Sequence, residues 1–533
     1  MRPFWAIVKL TCRNVLRSHI FQLLLLILIM CVAFIPATIQ GDGTAQGFIQ
    51  VSLKFSLFSV ALMLALSSVW SGCMIMTQDI DGYQLHMVIT KPVSRIVIWL
   101  AKATGIFFIH ALLLAIASIL VYVVVMARYN AQLVPPDEIE RVANEIRTAE
   151  AQANSMPNSK ERDVVVQKIN ELKDIQKKLE NSVAEDTRIR NEVLVARRRY
   201  VPVGTITDED GTKRDVPIYS RAYINTKARE EFQRVLEDNA KKGIVWDAGT
   251  QEARLRDLNI ETTVKESVVK YGEENRKIWR ITGLPKEGVL PLYLRFRMYV
   301  TQVSDKTERD TNGWWFYGRV APGGVDGETI ALNNSWVPLS SMPQMYRTNR
   351  FIEIELPKEA VDSSGTMFLS FINFDPEQED MFFQIYDGPQ VYVQHGGFTM
   401  NYVKCIMIIA LGLLILCGLG CTAGGFLSMP TAIFFVITYL LFGIFATIVV
   451  NNDGRRYANI GDVIGKYVGN VILTAVIPLQ NFEVSSLVAD GIMIEWSFIG
   501  NLFVDYFLLK ALPLFLLGLY LYWRREMGLV IKK

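Results

Sequence analysis

Apolar residues in this chain gather into six long runs, roughly Phe21 to Ile39, Phe55 to Met76, Val97 to Met126, Val403 to Thr422, Thr431 to Val450 and Leu502 to Trp523. Each is near the ~20 residues that a helix needs to cross a bilayer, and soluble cores rarely hold even one such run. Between the third and fourth lies a polar insert, Arg128 to Met400. The pattern predicts three spans, a large soluble insert and three more spans. The mean hydropathy of +0.23 averages the two kinds of sequence and understates the apolar one.

Inside the insert the rhythm changes twice. After Pro135 and Pro136 break the chain, Ile139, Val142, Ile146, Ala149 and Ala153 recur at alternating spacings of three and four, the stripe of an amphipathic helix. Turn residues from Asn154 to Lys160 separate it from a second helix, about Glu161 to Arg199, with Val165, Ile169, Leu172, Leu179 and Val183 in the same rhythm. The pair predicts an antiparallel helical hairpin packing on its own domain; Gln176 interrupts the seam, and two heptads are too few to assert an intermolecular coiled coil. Another helix follows near Thr226 to Lys242.

Farther on the period becomes two. In Tyr293 to Val300, Leu294, Phe296, Met298 and Val300 alternate with Tyr293, Arg295, Arg297 and Tyr299, and FIEIEL, MFLSFINF, FFQIYD and QVYV follow with Gly, Pro, Asp and Asn between them. Such short alternating strands predict an antiparallel β-sandwich. The consecutive Trp314, Trp315, Phe316 and Tyr317 suit a sugar-binding platform or a partner patch if exposed, but a strand of period two buries half of them, which favours core packing. The expected fold is a membrane α-helical protein of six transmembrane helices with an inserted α+β soluble domain. Its parts are 1–127 (an amphipathic N-terminal helix and spans 1–3), 128–277 (an extracytoplasmic helical region), 278–400 (the β-sandwich) and 401–533 (spans 4–6).

Charge then orients the spans. Arg2, Lys9, Arg13 and Arg17 precede the first run without an acid, and Arg524, Arg525, Lys532 and Lys533 follow the last with only Glu526 against them. By the positive-inside bias both termini are cytoplasmic, as is Thr77 to Gly105 with Lys91, Arg95 and Lys102, while the insert and Asn451 to Asn501 fall outside. The latter is acidic on balance, with Asp453, Asp462, Glu483, Asp490 and Glu495 against Arg455, Arg456 and Lys466. A cleavable signal peptide competes for the N-terminus, but the apolar run is long. Lys9, Arg13 and Arg17 also share one helical face opposite Phe4, Val8, Cys12 and Val15, the pattern of a helix lying in the headgroup plane. An ordinary signal anchor predicts the same orientation.

Candidate chemistry narrows the function mainly by exclusion. A net charge of +2 is too balanced to argue for nucleic acid or a strongly acidic substrate. The six cysteines, Cys12, Cys31, Cys73, Cys405, Cys417 and Cys421, all lie in or beside apolar runs, so the insert must be stable without disulfides. No CxxC pair occurs, and His19, His86, His110 and His395 lie too far apart in sequence to suggest a metal cluster. The chain lacks a GxxxxGK[ST] loop, a GxSxG elbow and an HExxH helix, so we expect no enzyme and no cofactor bound by this chain. If it uses ATP, another chain binds it.

The short stretch DIDGYQLHMVITKPVSRIVIWLAKATG resembles the cytoplasmic loop between the second and third helices of type-2 ABC transporter permeases. There an acidic turn with a glycine leads into a short helix, a Pro-Val-Ser-Arg-like run and a pair opening the next span. The matching positions are Asp79, Asp81 and Gly82, then Lys91, Pro92, Val93, Ser94 and Arg95, then Lys102 and Gly105, with Tyr83 where the family often has Thr. Gly424 to Pro430 looks like the small-residue turn before the fifth helix, and IPLQNFEVSSLVADGIMIEW is similar to the segment before the last span. The likeness covers the membrane parts, about half the chain.

The resemblance implies a permease subunit of an ATP-driven transporter in a bacterial-type plasma (inner) membrane, most readily an exporter. Its implied partners are a separate ABC ATPase subunit, a second permease copy (the same or a related chain) and the lipid bilayer, with an envelope partner open to the extracytoplasmic domain. Asp79, Asp81, Gly82, Lys91, Pro92, Ser94, Arg95 and Lys102 would form the ATPase-coupling loop, Pro92 marking where its helix stops. Lys91, Arg95 and Lys102 also satisfy the positive-inside bias by themselves, so it is the order of residue types that favours coupling.

Within the spans, His110, Asp505 and Lys510 are the ionisable candidates for a translocation pathway. Asp505 and Lys510, five apart, would be about 140° from each other on an α-helix and could not comfortably pair. The rival class is a scaffold that transmits ATP-driven force through the membrane to an envelope partner without transport. A passive glycan-binding receptor is a third, and it would need no coupling helix.

Overall fold

The computed structural model describes residues 2–38, 44–81, 93–130, 136–155, 160–208, 211–285, 290–300, 308–318, 336–362, 364–384, 387–451 and 460–524. They divide into a helical unit, Met1–Ala196 with Gly396–Lys533, and a β-rich unit, Arg197–His395.

The helical unit opens with α1 (Arg2–Arg17) and α2 (His19–Thr38), which meet at Ser18 with a bend of 70°. α1 buries Val8, Thr11 and Val15 and leaves Lys9, Arg13 and Arg17 exposed, an amphipathic split. Two long helices follow, α3 (Ala45–Asp81) and α4 (Arg95–Asn130). Next comes the hairpin of α5 (Pro136–Ser155) and α6 (Lys160–Arg188), whose seam joins Val142 and Ile146 to Leu172, and Ala149 and Ala153 to Ile169. α6 stops short of Arg199: a π turn, Ile189–Val193, leads into strand β1 (Val195–Tyr200). There the chain pairs with a neighbouring strand, and a ladder wins over helix.

The chain then passes through the β-rich unit, which contains α7 (Arg221–Lys241) and α8 (Ala248–Ser267). It returns as α9 (Phe398–Phe426), α10 (Met429–Asn451), α11 (Ile460–Ala475), α12 (Ser485–Ala489) and α13 (Trp496–Arg524), whose stretch Phe503–Ala511 is π-helical.

Five helices are long and apolar enough to cross a membrane: Ala45–Gln78, Arg95–Asn130, Phe398–Phe426, Met429–Val450 and Trp496–Arg524. Two bent pairs raise the number to seven if each is one span, so among the described residues this is a membrane protein with five to seven candidate spans. Five of the runs read from the sequence fall inside the five helices, and Phe21 to Ile39 falls largely on α2.

The second bent pair, Ile464–Ala475 with Leu479–Ala489 at 59°, lies where an aqueous segment was expected. Each half is about a dozen residues, below the length of a span and within the range of a re-entrant segment. Asp462 and Asp490 flanking the halves and Glu483 inside the second hide the apolar content. α11 runs antiparallel to α10: Tyr439 Oη donates to the Ala475 carbonyl at 3.1 Å, and farther along a Cβ on Gly469 would stand 2.8 Å from Val450.

α9 is the most buried of the candidate spans and packs by close main-chain approach. A Cβ added at Gly420 would lie 3.0 Å from the Val69 carbonyl and 3.1 Å from the Gly72 Cα, and one at Gly424 2.7 Å from the Cys73 carbonyl. Glycines four apart are what let two membrane helices touch through their backbones. α9 continues through Gly424 and Gly425, and the turn before α10 falls at Leu427 and Ser428.

In the β-rich unit every strand ladder with a described register is antiparallel. One sheet orders β1, β14 (Gln390–Gly397), β6 (Leu292–Phe296) and β11 (Ile352–Leu356). A larger one orders β10 (Gln344–Arg347), β8 (Asp310–Gly318), β12 (Met367–Asn373), β5 (Lys277–Ile281), β2 (Val203–Thr207) and β3 (Lys213–Pro217), with β9 (Trp336–Pro338) against β8. A small sheet joins β4 (Val268–Val269), β13 (Met381–Phe382) and β7 (Tyr299–Val300).

All three sheets contribute to one core, in which Phe296 of the first meets Trp315 of the second with ring centroids 4.9 Å apart. Trp315 and Tyr317 point inward, as period two requires, and Trp314 is only partly buried. The alternation from Tyr293 to Val300 is uninterrupted, yet its backbone changes sheets between β6 and β7. There the Arg297 N–H donates to the Asp387 carbonyl at 2.8 Å and its guanidinium to the Asp387 carboxylate.

Candidate functional site

The stretch Thr77 to Gly105 leaves α3 and returns as α4. Asp79 and Asp81 lie in the last turn of α3, with side chains outside the described residues; Gly82, Lys91 and Pro92 also lie outside them. From Val93 the chain is described, and its polar residues are committed to the helices around them. Ser94 caps α4, its Oγ accepting from the Val97 N–H at 3.4 Å. Arg95 donates through Nη1 to the Trp523 carbonyl, 2.8 Å away at the end of α13. Lys102 is 4 % exposed and donates to the Ile75 carbonyl of α3 at 3.3 Å. At Gly105 a Cβ would stand 2.9 Å from Thr11, and the Cys12 thiol donates to the Gly105 carbonyl at 3.3 Å, so the missing side chain lets α1 lie directly on α4.

Arg95, Lys102 and Gly105 therefore tie α1, α3, α4 and α13 together near the described ends of α3 and α4. The basic terminal turn of α13 gains a partner for its last carbonyls, the usual role of a cation at a helix C-terminus.

Of the three ionisable candidates within the spans, His110 and Lys510 serve different helix pairs. His110 is fully buried on α4, its Nδ1 2.8 Å from the Ile106 carbonyl and its Nε2 3.0 Å from Ser67 Oγ of α3. A carbonyl can only accept, so Nδ1 carries the hydrogen and Nε2 takes that of Ser67. Lys510 turns to α11, donating to the carbonyls of Leu473 and Val476 at its C-terminal end. Asp505 is exposed. The separation expected for Asp505 and Lys510 assumed an α-helix, but in the π-helical stretch residues five apart come close to one face.

Three polar groups converge on the break between α11 and α12. Tyr439 Oη donates to Ala475 O and accepts from the Ile477 N–H, both at 3.1 Å; Lys510 caps the half-helix; and Asn481 Nδ2 donates to Tyr506 Oη. Freed main-chain groups at a break among apolar helices must be satisfied by protein, and Tyr439 and Lys510 do it.

Farther along, Asn401 of α9 exchanges two bonds of 2.7 Å with the Ile492 carbonyl and the Ile494 N–H, while buried Lys404 donates to the Ile494 carbonyl at 2.8 Å. None of Tyr439, Asn401 and Lys404 figured in the sequence reading. Lys404 had a usable signal, a lysine beside the start of an apolar run.

At the other end of α3, Gln46 Nε2 donates to Glu192 at 2.7 Å. The Tyr129 hydroxyl of α4 donates to Asp186 at 2.7 Å and accepts from Arg190 at 2.8 Å. The α5–α6 hairpin is thereby fixed to the ends of α3 and α4. Among the described residues no group of three or more His, Cys, Asp or Glu side chains is arranged to hold a metal ion. No protein-family model, curated protein or solved structure matches the chain.

Proposed function

We propose that this chain is the membrane subunit of an ATP-driven exporter of the type-2 ABC permease class, in a bacterial-type plasma membrane. Both termini and Thr77 to Gly105 face the cytoplasm. Six spans and one re-entrant pair cross or enter the bilayer, and the α5–α6 hairpin and a β-sandwich lie outside. Two copies, or one with a related chain, work with a separate ATPase pair.

The observation that supports this reading is the junction of α1, α3, α4 and α13 formed by Arg95, Lys102 and Gly105. Arg95, Lys102 and Gly105 lock four helices together where the loop emerges, so a displacement of the loop moves the ends of α3, α4 and α13 as one body. A receptor or an inert anchor has no use for such a junction.

Native purification should bring down a Walker-type ATPase, and its absence under gentle detergent would sink the reading. Replacing Gly82 by valine, or Arg95 by glutamine, should leave hydrolysis running while transport falls by an order of magnitude. Unchanged coupling would refute the loop's role.

The hairpin's attachment favours a second reading, force transmission to an envelope partner without cargo. Bonds from α3 and α4 to Glu192, Asp186 and Arg190 couple helix movement to the hairpin. Proteoliposomes holding both subunits decide between the two: accumulation of candidate cargo supports export, and ATP-dependent hairpin movement without accumulation supports transmission.

A further inference from the structure

The 70° elbow between α1 and α2 borders an open cleft of about 530 Å³ that plays no part in the proposed coupling. Its size is within the range of small-ligand pockets. Asn14, Arg17, Ser18, His19, Trp70 and Gln78 line it together with the apolar Ile20, Met74 and Met429, and among the described residues no carboxylate does.

Among the described residues the only charged side chain in the lining is the cation Arg17, and the other polar groups can all donate. Arg17 supplies a permanent positive charge and Asn14 and Gln78 supply amides. The buried Nε1 of Trp70 has no acceptor among the described residues. The Ser18 hydroxyl donates, at 3.5 Å, only as far as the thioether of Met74, a weak acceptor. A buried indole N–H and a hydroxyl spent on sulfur are costly unless an oxygen-bearing ligand takes them. An anion with several acceptor oxygens fits the polar side of the cleft, and a cation does not.

The surroundings select among anions. α1 carries Lys9, Arg13 and Arg17 exposed along it, and α2 turns away with Ile20, Leu23 and Leu26 respectively 38 %, 55 % and 58 % exposed. An amphipathic helix meeting an apolar one at an elbow marks the boundary between headgroups and acyl chains. We propose that the elbow cleft is a binding site for the phosphate headgroup of an anionic phospholipid, with its acyl chains along the exposed flank of α2. Arg17, Ser18 and Trp70 donate to the phosphate oxygens, and His19, Asn14 and Gln78 to the rest of the headgroup. The inference rests on the membrane position of α2 and not on the ATPase reading, so either can fail alone.

Native mass spectrometry of the full chain, released from detergent and titrated with phosphatidylglycerol or phosphatidylcholine, tests it. The wild type should retain one phosphatidylglycerol per chain in preference to phosphatidylcholine. Arg17→Gln and Trp70→Phe should each weaken that retention roughly tenfold, as loss of a phosphate donor predicts. Arg13→Gln removes the same charge one turn away, outside the cleft, and should bind as the wild type does. Ser18→Ala, the mildest change, covers the case in which Arg17→Gln or Trp70→Phe fails to fold, which gel filtration would reveal.

Equal retention of the two lipids, or equal losses for Arg13→Gln and Arg17→Gln, would overturn the site in favour of diffuse surface charge. Displacement of the lipid by millimolar glycerol phosphate or inorganic phosphate would overturn the lipid assignment and leave a soluble anion as occupant.

Discussion

The helical unit and the β-rich unit both take cations out of bulk water, and they give them different partners. In the helical unit Lys102, Lys404 and Lys510 donate to the main-chain carbonyls of Ile75, Ile494 and Leu473, and Arg95 to that of Trp523. In the β-rich unit Arg197, Arg297 and Arg309 turn to the carboxylates of Glu353, Asp387 and Asp375. Withdrawing a carboxylate along with a cation costs several kcal/mol for each ion. Carbonyls at a helix end are already in place and already partly negative. A lysine on a flexible stem reaches them with three donors, whereas the planar arginine fork matches a carboxylate. Lys404 and Lys510 thus avoid the second desolvation, and the arginines of the β-rich part accept it in exchange for geometry.

Asp375→Ala should have the largest effect. The buried Asp375 receives both ends of Arg309, at 2.8 and 2.9 Å, and the Thr311 hydroxyl at 2.7 Å. Removing it leaves Arg309 with Glu379 at 3.2 Å but takes away its two shortest bonds and the acceptor of the buried Thr311 hydroxyl, a loss of about 3 kcal/mol. Denaturant titration followed by the fluorescence of Trp279 and Trp315 would measure it, and a loss under about 1 kcal/mol would show that the β-rich unit does not depend on the pair. Acid supplies a second check. Burial by itself raises the Asp375 carboxyl, but the bonds from Arg309 and Thr311 reverse this to a net lowering from the ordinary 3.8. The stabilisation is therefore complete above that value and lost as pH falls through the lower, native one, and Asp375→Ala should flatten that limb.

The helical unit relies on backbone approach instead, so Gly420→Leu should rank next, at about 1–3 kcal/mol of overpacking. Its neighbours at 3.0 and 3.1 Å are main chain and cannot swing aside. Gly500→Ala, where an added Cβ meets nothing within 4 Å, is the matched control in a thermal melt.

Lys510 sharpens the contrast directly. Lys510→Met keeps the apolar stem and removes the cap on α11, a loss of about 1–2 kcal/mol, and Lys510→Arg should recover most of it. Asp505→Asn should leave the melting temperature unchanged, since the ammonium is held by carbonyls. If Asp505→Asn costs as much as Lys510→Met, the helical unit too depends on an ion pair and the distinction collapses.

Physical length decided what could be read from the sequence. The runs that became α3, α4, α9, α10 and α13 were legible because each is long and nearly free of charge. The hairpin was legible because Val142, Ile146, Ile169 and Leu172 keep a helical period. The α11–α12 pair was not: each half is short, and Glu483 sits inside the second. Nor was the change of sheet between β6 and β7, because alternation reports which side a residue faces and not which strand its backbone pairs with. In the loop, residue order pointed to Ser94, Arg95 and Lys102. Arg95 and Lys102, seven apart, share a helical face turned toward other helices, a spacing that the positive-inside reading passed over.

Lys277 offers the smallest test, and a pointed one, because it is a cation of the β-rich unit that adopts the helical unit's solution. Its ammonium donates to the carbonyls of Lys265 at 2.6 Å and Val268 at 3.3 Å, with Glu266 no nearer than 4.0 Å. Burial lowers it from the ordinary 10.5 to about 8, the Glu266 carboxylate opposing that only in part. Between those two values the unfolded chain still holds a proton that the native chain has released, so stability rises with pH across that window. The gain from pH 7 to about 9.5 should be on the order of 1 kcal/mol. Lys277→Met, which has no proton to lose, should show no such rise in its denaturant midpoint. A wild type as flat as the variant would mean that carbonyls hold a buried ammonium as well as a carboxylate does, and the membrane part would then lose nothing by avoiding acids.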